Sequence, residues 1–190
     1  LTLWGNPLGD QGGALLARAD LPRVREISLY KCQLGDRALA KRLRLATRVA
    51  LANLVEKTIE TDAAALVLAG DIYDGDWRDY ATGRYFVEQM ALLREAGIPV
   101  FLAAGNHDAE SVITKSLTLP DNVHVMSTQS PETVLREDLG VAFHGQGFAE
   151  RAVMKNLALR YPEPVPHMIN VGILHTSVAG YADHDPYAPC

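Results

Sequence analysis

Ala64-Ala65-Leu66-Val67-Leu68-Ala69-Gly70-Asp71 reads as a short buried strand that stops at a glycine and hands the chain to an acid. A strand wetted on one face alternates apolar and polar residues, so an unbroken apolar run predicts burial on both faces, the habit of a parallel sheet. Asp71 then sits just past the carboxyl end of that strand. Upstream, Leu45, Val49, Ala52, Val55 and Ile59 recur at three and four residues, the spacing of one helical face. Downstream the unit repeats. Phe86, Met90, Leu93 and Ala96 mark a second helix, Gly97 ends it, and Pro99 to Ala103 is a second buried run that stops at Gly105. Asn106, His107 and Asp108 follow it, again just past a strand end.

Beyond this repeat the chain offers strands at Val123 to Met126, Val141 to His144 and Ile169 to Leu174, and a helix near Ala152 to Arg160. His175 closes the last strand. Alternating strands and helices predict an α/β fold, a central sheet covered by helices, with ligands gathering at the carboxyl ends of the strands. Three polar clusters fall there: Gly70-Asp71-Ile72-Tyr73-Asp74, Gly105-Asn106-His107-Asp108 and Leu174-His175-Thr176-Ser177.

Taken alone, each cluster has a plainer reading, because Gly-Asp or Gly-Asn after a strand is commonly a turn or a helix cap. Three of them, each directly after a buried strand, are hard to explain as independent turns. Asp, Asn and His are oxygen and nitrogen donors that suit Mn²⁺, Fe²⁺ or Zn²⁺. Two such ions about 3.5 to 4 Å apart can clamp a phosphate, activate water and stabilise a leaving oxygen.

Bulk properties bound the answer. The 190 residues are 48% hydrophobic and 22% charged, enough for one compact domain with an aliphatic core. A net charge of −5 supplies no overall basic field, so nucleic-acid contact must be local. The dense basic stretch Arg37, Lys41, Arg42, Arg44 and Arg48 reads first as the solvated face of a helix. Cys32 and Cys190 form no disulfide framework, and no apolar run approaches the roughly 18 residues of a membrane span. A cytoplasmic setting without membrane contact is expected.

GDIYD, GNHD and ILHTS, in this order, resemble the calcineurin-like metallophosphoesterases. The longer stretches LVLAGDIYDGDW, REAGIPVFLAAGNHDAESVI, LPDNVHVMS and HTSVAGYADHDPYAPC are similar to the bacterial DNA-repair exonuclease branch, near the SbcD-type and YhaO proteins. The resemblance covers Leu45 to Cys190. It divides the chain into a divergent segment at 1–42 and a partial phosphoesterase domain at 43–190.

The resemblance implies a central β-sheet sandwich flanked by helices, and a phosphodiesterase that hydrolyses DNA with two divalent ions, Mn²⁺ first and Fe or Zn as alternatives. It implies Asp71 as the carboxylate bridging both ions and Asn106 and His175 as ligands of the second. His107 is implied as the catalytic group that meets the scissile phosphate, with Asp74 and Asp108 orienting ligands; His184, close to His175 in sequence, is a further candidate to line the substrate groove. An SMC-like ATPase partner and a homodimer are further expectations of the same kind. Of the other histidines, His144 is read as structural and His124 and His167 as structural or exposed, and the Gly145-Gln146-Gly147 run is too short to count as a phosphate-binding loop.

Two departures stand beside the match. The family opens on Asp-x-His, where this chain has Asp20-Leu21-Pro22, leaving Asp20 as a surviving ligand; and no Gly-His-x-His follows. The expectation is a domain incomplete at its C-terminus that binds at most one ion well and cleaves weakly. Rival readings are a phosphomonoesterase, nucleotidase or protein phosphatase on the same site, and a non-catalytic remnant of the fold.

Overall fold

The computed structural model describes residues 37–72, 80–110, 117–178 and 188–190, with the backbone alone at 37–45, 80 and 110. Asp20, Asp74 and His184 lie outside the described residues. The chain divides into two compact units, Leu1–Asn53 and Leu54–Cys190, and all described strands belong to the second. Among the described residues no helix is long and apolar enough to cross a membrane.

The first helix, α1, spans Arg37–Glu60. Its three-and-four spacing predicts the helix but not the way its face turns. Val55 and Thr58 are buried, while Val49 and Ile59 are exposed. Thr58 tolerates burial because its hydroxyl donates to the Leu54 carbonyl at 2.7 Å. The helix ends by reversing into a left-handed residue, Asp62 at φ 48°. The Asp62 amide donates to the Ile59 carbonyl and the Ala63 amide to that of Thr58, which satisfies the last carbonyls of the helix.

The second helix, α2 (Tyr80–Glu95), ends the same way with Gly97 in the left-handed position, the Gly97 amide donating to Arg94 and the Ile98 amide to Leu93. Phe86, Met90 and Leu93 are buried, as their spacing requires. Ala96, read onto the same face, is exposed. The Asn122 side chain donates to the Met90 and Ile98 carbonyls, tying the end of α2 to the strand that follows.

Three parallel strands, β1 (Leu66–Ala69), β2 (Val100–Ala103) and β3 (Val123–Val125), form one sheet in that order. Every residue of the central β2 is buried, as its apolar run predicts. β1 departs from the two-faced burial expected of it: it is an edge strand among the described residues, and Val67 is 38% exposed.

The second sheet orders β4 (Glu132–Arg136), β5 (Val141–Gly145) and β6 (Ile169–Ile173), with β4 antiparallel and β6 parallel to β5. Successive side chains alternate faces, so Phe101 and Ala103 of β2 point toward this second sheet, where they join Phe143, Ile173 and Met126 in one core cluster. The Phe101 and Phe143 rings stack with centroids 3.9 Å apart. On the other side of β2, Leu102 lines a cavity of about 70 Å³ with Ile72, Phe86, Asp108, Leu117, Leu119 and Val125. The result is a mixed α/β sandwich, as expected.

Two readings need correction. The helix expected over Ala152 to Arg160 reduces to a single 3₁₀ turn at Ala158–Arg160. Asn156 accounts for this, because its side-chain oxygen accepts the Ala158 amide at 3.0 Å and so takes a donor the helix would need. And β4 went unread, since its five residues carry charge at both ends and only a short alternation between them.

Candidate metal centre

β1 and β2 pair in parallel from Leu66↔Val100 to Ala69↔Ala103, so both strands end at one level. Their loops therefore leave the sheet side by side. Gly70 (φ +89°) and Asp71 (φ 52°) both take left-handed backbone, and for an aspartate this is mildly strained. The turn aims the Asp71 carboxylate back across the loop after β2, where its Oδ1 accepts the His107 amide at 3.2 Å. Gly105 makes that approach sterically possible, because a β-carbon there would collide with the Asp71 carboxylate and amide nitrogen.

Asp108 fastens the two loops from beneath. It is 2% exposed, and its Oδ2 accepts the Gly105 amide at 2.9 Å and the Ile72 amide at 3.2 Å. One carboxylate oxygen thus joins the end of β1 to the end of β2, a positioning contact that leaves Asp108 out of the donor cluster.

His175 comes from the other sheet, two residues past β6. Its Nδ1 lies 3.0 Å from the Ala69 carbonyl, which can only accept, so Nδ1 carries the proton. Nε2 then faces Asn106 Oδ1, 2.9 Å away, and Asp71 Oδ2, 3.4 Å away. The Phe148 ring meets the imidazole edge-on at 5.5 Å and 75°. Gly70 borders it on the strand side; a β-carbon there would lie 2.5 to 2.7 Å from the ring. The side chain is 12% exposed and held on several sides.

Asp71, Asn106 and His175 thus converge, as their strand-end positions suggest, although the strands belong to two sheets and not to one. Two side-chain oxygens gathered around one imidazole nitrogen form a donor set that a cation can join. Ions bound to nitrogen and oxygen at about 2.1 Å set neighbouring ligands roughly 3.0 Å apart at right angles and about 3.4 Å apart at tetrahedral ones. The separations of 2.9 and 3.4 Å fit those edges. The donor set, one imidazole nitrogen and two side-chain oxygens, suits a divalent ion of the Mn²⁺, Fe²⁺ or Zn²⁺ kind. Among the described residues no three of His, Cys, Asp and Glu gather, because the third donor here is an amide.

The remaining histidines behave as structural groups. His144 is buried, bonded to Thr133 Oγ1 and Asn170 Oδ1 at 2.8 Å each. His124 faces Glu132 at 3.1 Å. His167 is exposed. What sequence reading missed is the support of His175, namely the Ala69 carbonyl and Phe148. A carbonyl leaves no mark in a sequence, and Phe148 follows a strand whose partnership with β6 shows only in the fold.

Comparison with known proteins identifies the family. The profile of the calcineurin-like phosphoesterase family matches residues 45–171, which includes Asp71 and Asn106 and stops just before His175. The chain is 30% identical over 151 residues to the uncharacterized metallophosphoesterase YhaO of Bacillus subtilis, covering 78% of this chain and 37% of that protein. It is 36% identical over 58 residues to the DNA double-strand break repair protein Mre11 of Archaeoglobus fulgidus, covering 30% of this chain and 13% of that one. The chain therefore spans well under half of either relative. With the profile running through both β1 and β2 and the loops that carry their donors, the chain belongs to the calcineurin-like phosphoesterase family.

Proposed function

We propose that this chain is the phosphodiesterase part of a DNA-end-processing enzyme. The observation that carries the reading is the meeting of the Asp71, Asn106 and His175 side chains at the carboxyl ends of strands from two sheets. The partial match to a protein named for double-strand break repair favours DNA over other phosphate esters. Bound divalent ions, Mn²⁺ foremost, would polarise the phosphate and activate the attacking water. Asp71, Asn106 and His175 would hold one ion, and Asp71 with Asp20 would contribute to holding the other. The Ala69 carbonyl accepts from His175 Nδ1 and so orients the ring toward the other two ligands. His107, its backbone fixed by Asp71, presents its imidazole to the scissile phosphate as a charge stabiliser or as acid to the leaving oxygen. In this proposal Asp74 is a ligand-orienting residue and His184 a substrate-groove residue.

Three substrates under Mn²⁺ test the reading: linear DNA, bis(p-nitrophenyl) phosphate and p-nitrophenyl phosphate. Release of nucleotides and turnover of the diester are expected. Turnover of the monoester alone would move the substrate class to phosphomonoesters, and ion binding without any turnover would make the domain non-catalytic.

A further inference from the structure

One loop of the second sheet is built to stand beside this site. Residues 149–160 leave from Phe148, whose ring abuts His175 and whose amide donates to the Ala104 carbonyl just past β2. They return at Tyr161, whose hydroxyl donates to the carbonyl of Ile173, the last residue of β6, and accepts the amide of Gln146, just past β5. Both feet of the loop therefore rest on the carboxyl ends of the strands that carry the metal ligands. From inside, Leu157 and Val153 pack with Phe148, Ala188 and Leu174, one residue from His175.

The outer surface of the loop is locally basic in an acidic chain. Arg151, Lys155 and Arg160 are exposed there against one acid, Glu150, in a chain whose net charge is −5. Between them Met154 is 58% and Leu159 83% exposed, a cost in water with no return inside the domain. Cations bracketing bare apolar side chains suit a ligand with charged linkages and flat apolar faces, which describes a nucleic-acid strand whose bases are unstacked. The failed helix belongs to the same design: the turn at Asn156 replaces a regular helix with an irregular rim.

We propose that residues 149–160 form the wall along which a single DNA strand enters the site, with Lys155 and Arg160 on its phosphates and Met154 and Leu159 against its bases. This rests on the reading of the site as a DNA phosphodiesterase, and the test separates the two. Binding of a labelled single strand and of the same sequence as blunt duplex is followed by anisotropy across a salt series, and bis(p-nitrophenyl) phosphate turnover is measured alongside.

For Lys155→Glu with Arg160→Glu, single-strand Kd should rise at least about tenfold near 0.1 M salt, and the salt slope should fall by about 1.4, since each phosphate contributes about 0.7. Met154→Ala with Leu159→Ala should erode the preference for single strand over duplex. Small-diester turnover should hold in both, because none of the four residues belongs to the ligand set. Undiminished DNA affinity in the charge variant would overturn the wall and leave the phosphodiesterase reading intact. A wild-type chain that turns over the diester but binds no DNA would remove DNA from both. A concentration-dependent dimer lost in the apolar variant, with DNA affinity unchanged, would assign the face to a second copy and likewise overturn the proposal.

Discussion

At the scale of single residues, neighbours in sequence do different work. Asn106 turns its Oδ1 toward His175, whereas the contact resolved for His107 near the ligands is its backbone amide on Asp71. Asn106→Ala should therefore weaken Mn²⁺ binding by at least about tenfold, and His107→Ala should lower turnover by roughly 10² to 10³ with ion affinity nearly kept. Calorimetry beside steady-state kinetics checks this, and equal loss of affinity in both variants would undo the assignment. The donors were legible in the sequence, because glycine followed by Asp, Asn or His after an apolar run is a local pattern. Their orientation was not, since the Ala69 carbonyl, 106 residues from His175, fixes the tautomer.

At the scale of elements, both helices close on a left-handed residue, but only one uses glycine. Asp62 carries a side chain in a conformation that disfavours one, so Asp62→Gly should raise unfolding free energy by up to about 1 kcal/mol, read as a shift in urea midpoint at constant m. Tyr161 makes the opposite case. Burial raises its phenol above the ordinary value, against a smaller lowering by the Gln146 amide. An acid with a raised folded pKa stabilises the fold fully below the unfolded value of about 10, and that share is lost as pH climbs through it. Tyr161→Phe, which leaves the Gln146 amide and Ile173 carbonyl without this hydroxyl, should cost about 1 to 3 kcal/mol at neutral pH. The gap to wild type should narrow above pH 10, and a gap independent of pH would contradict the burial of the phenol. Helix α2 and strand β2 were readable because Phe86, Met90 and Leu93 of the helix and every residue of the strand are buried. The segment at 152–160 was not, because one asparagine's hydrogen bond outweighed its apolar spacing.

At the scale of the whole molecule, the described donors make one ligand set, and a calorimetric titration with Mn²⁺ should return about one tight ion per chain. Two tight ions would mean that residues outside the described ones complete a second set. Sequence pattern established the alternation of strands and helices but not their division into two sheets, because the charged ends of β4 hid it and β1 and β6 look alike as apolar runs. That division gives the centre a mechanical meaning. Asp71 and Asn106 hang from one sheet and His175 from the other, so an ion held among them acts as a rivet through the sandwich. An ion that binds only the closed sandwich stabilises it by mass action, about 2.7 kcal/mol at a hundredfold excess over Kd. Amide exchange should accordingly slow across β4 and β5, which carry no ligand, when the ion is added, and the rigidity of the β4-β5-β6 sheet becomes a gauge of how full the centre is.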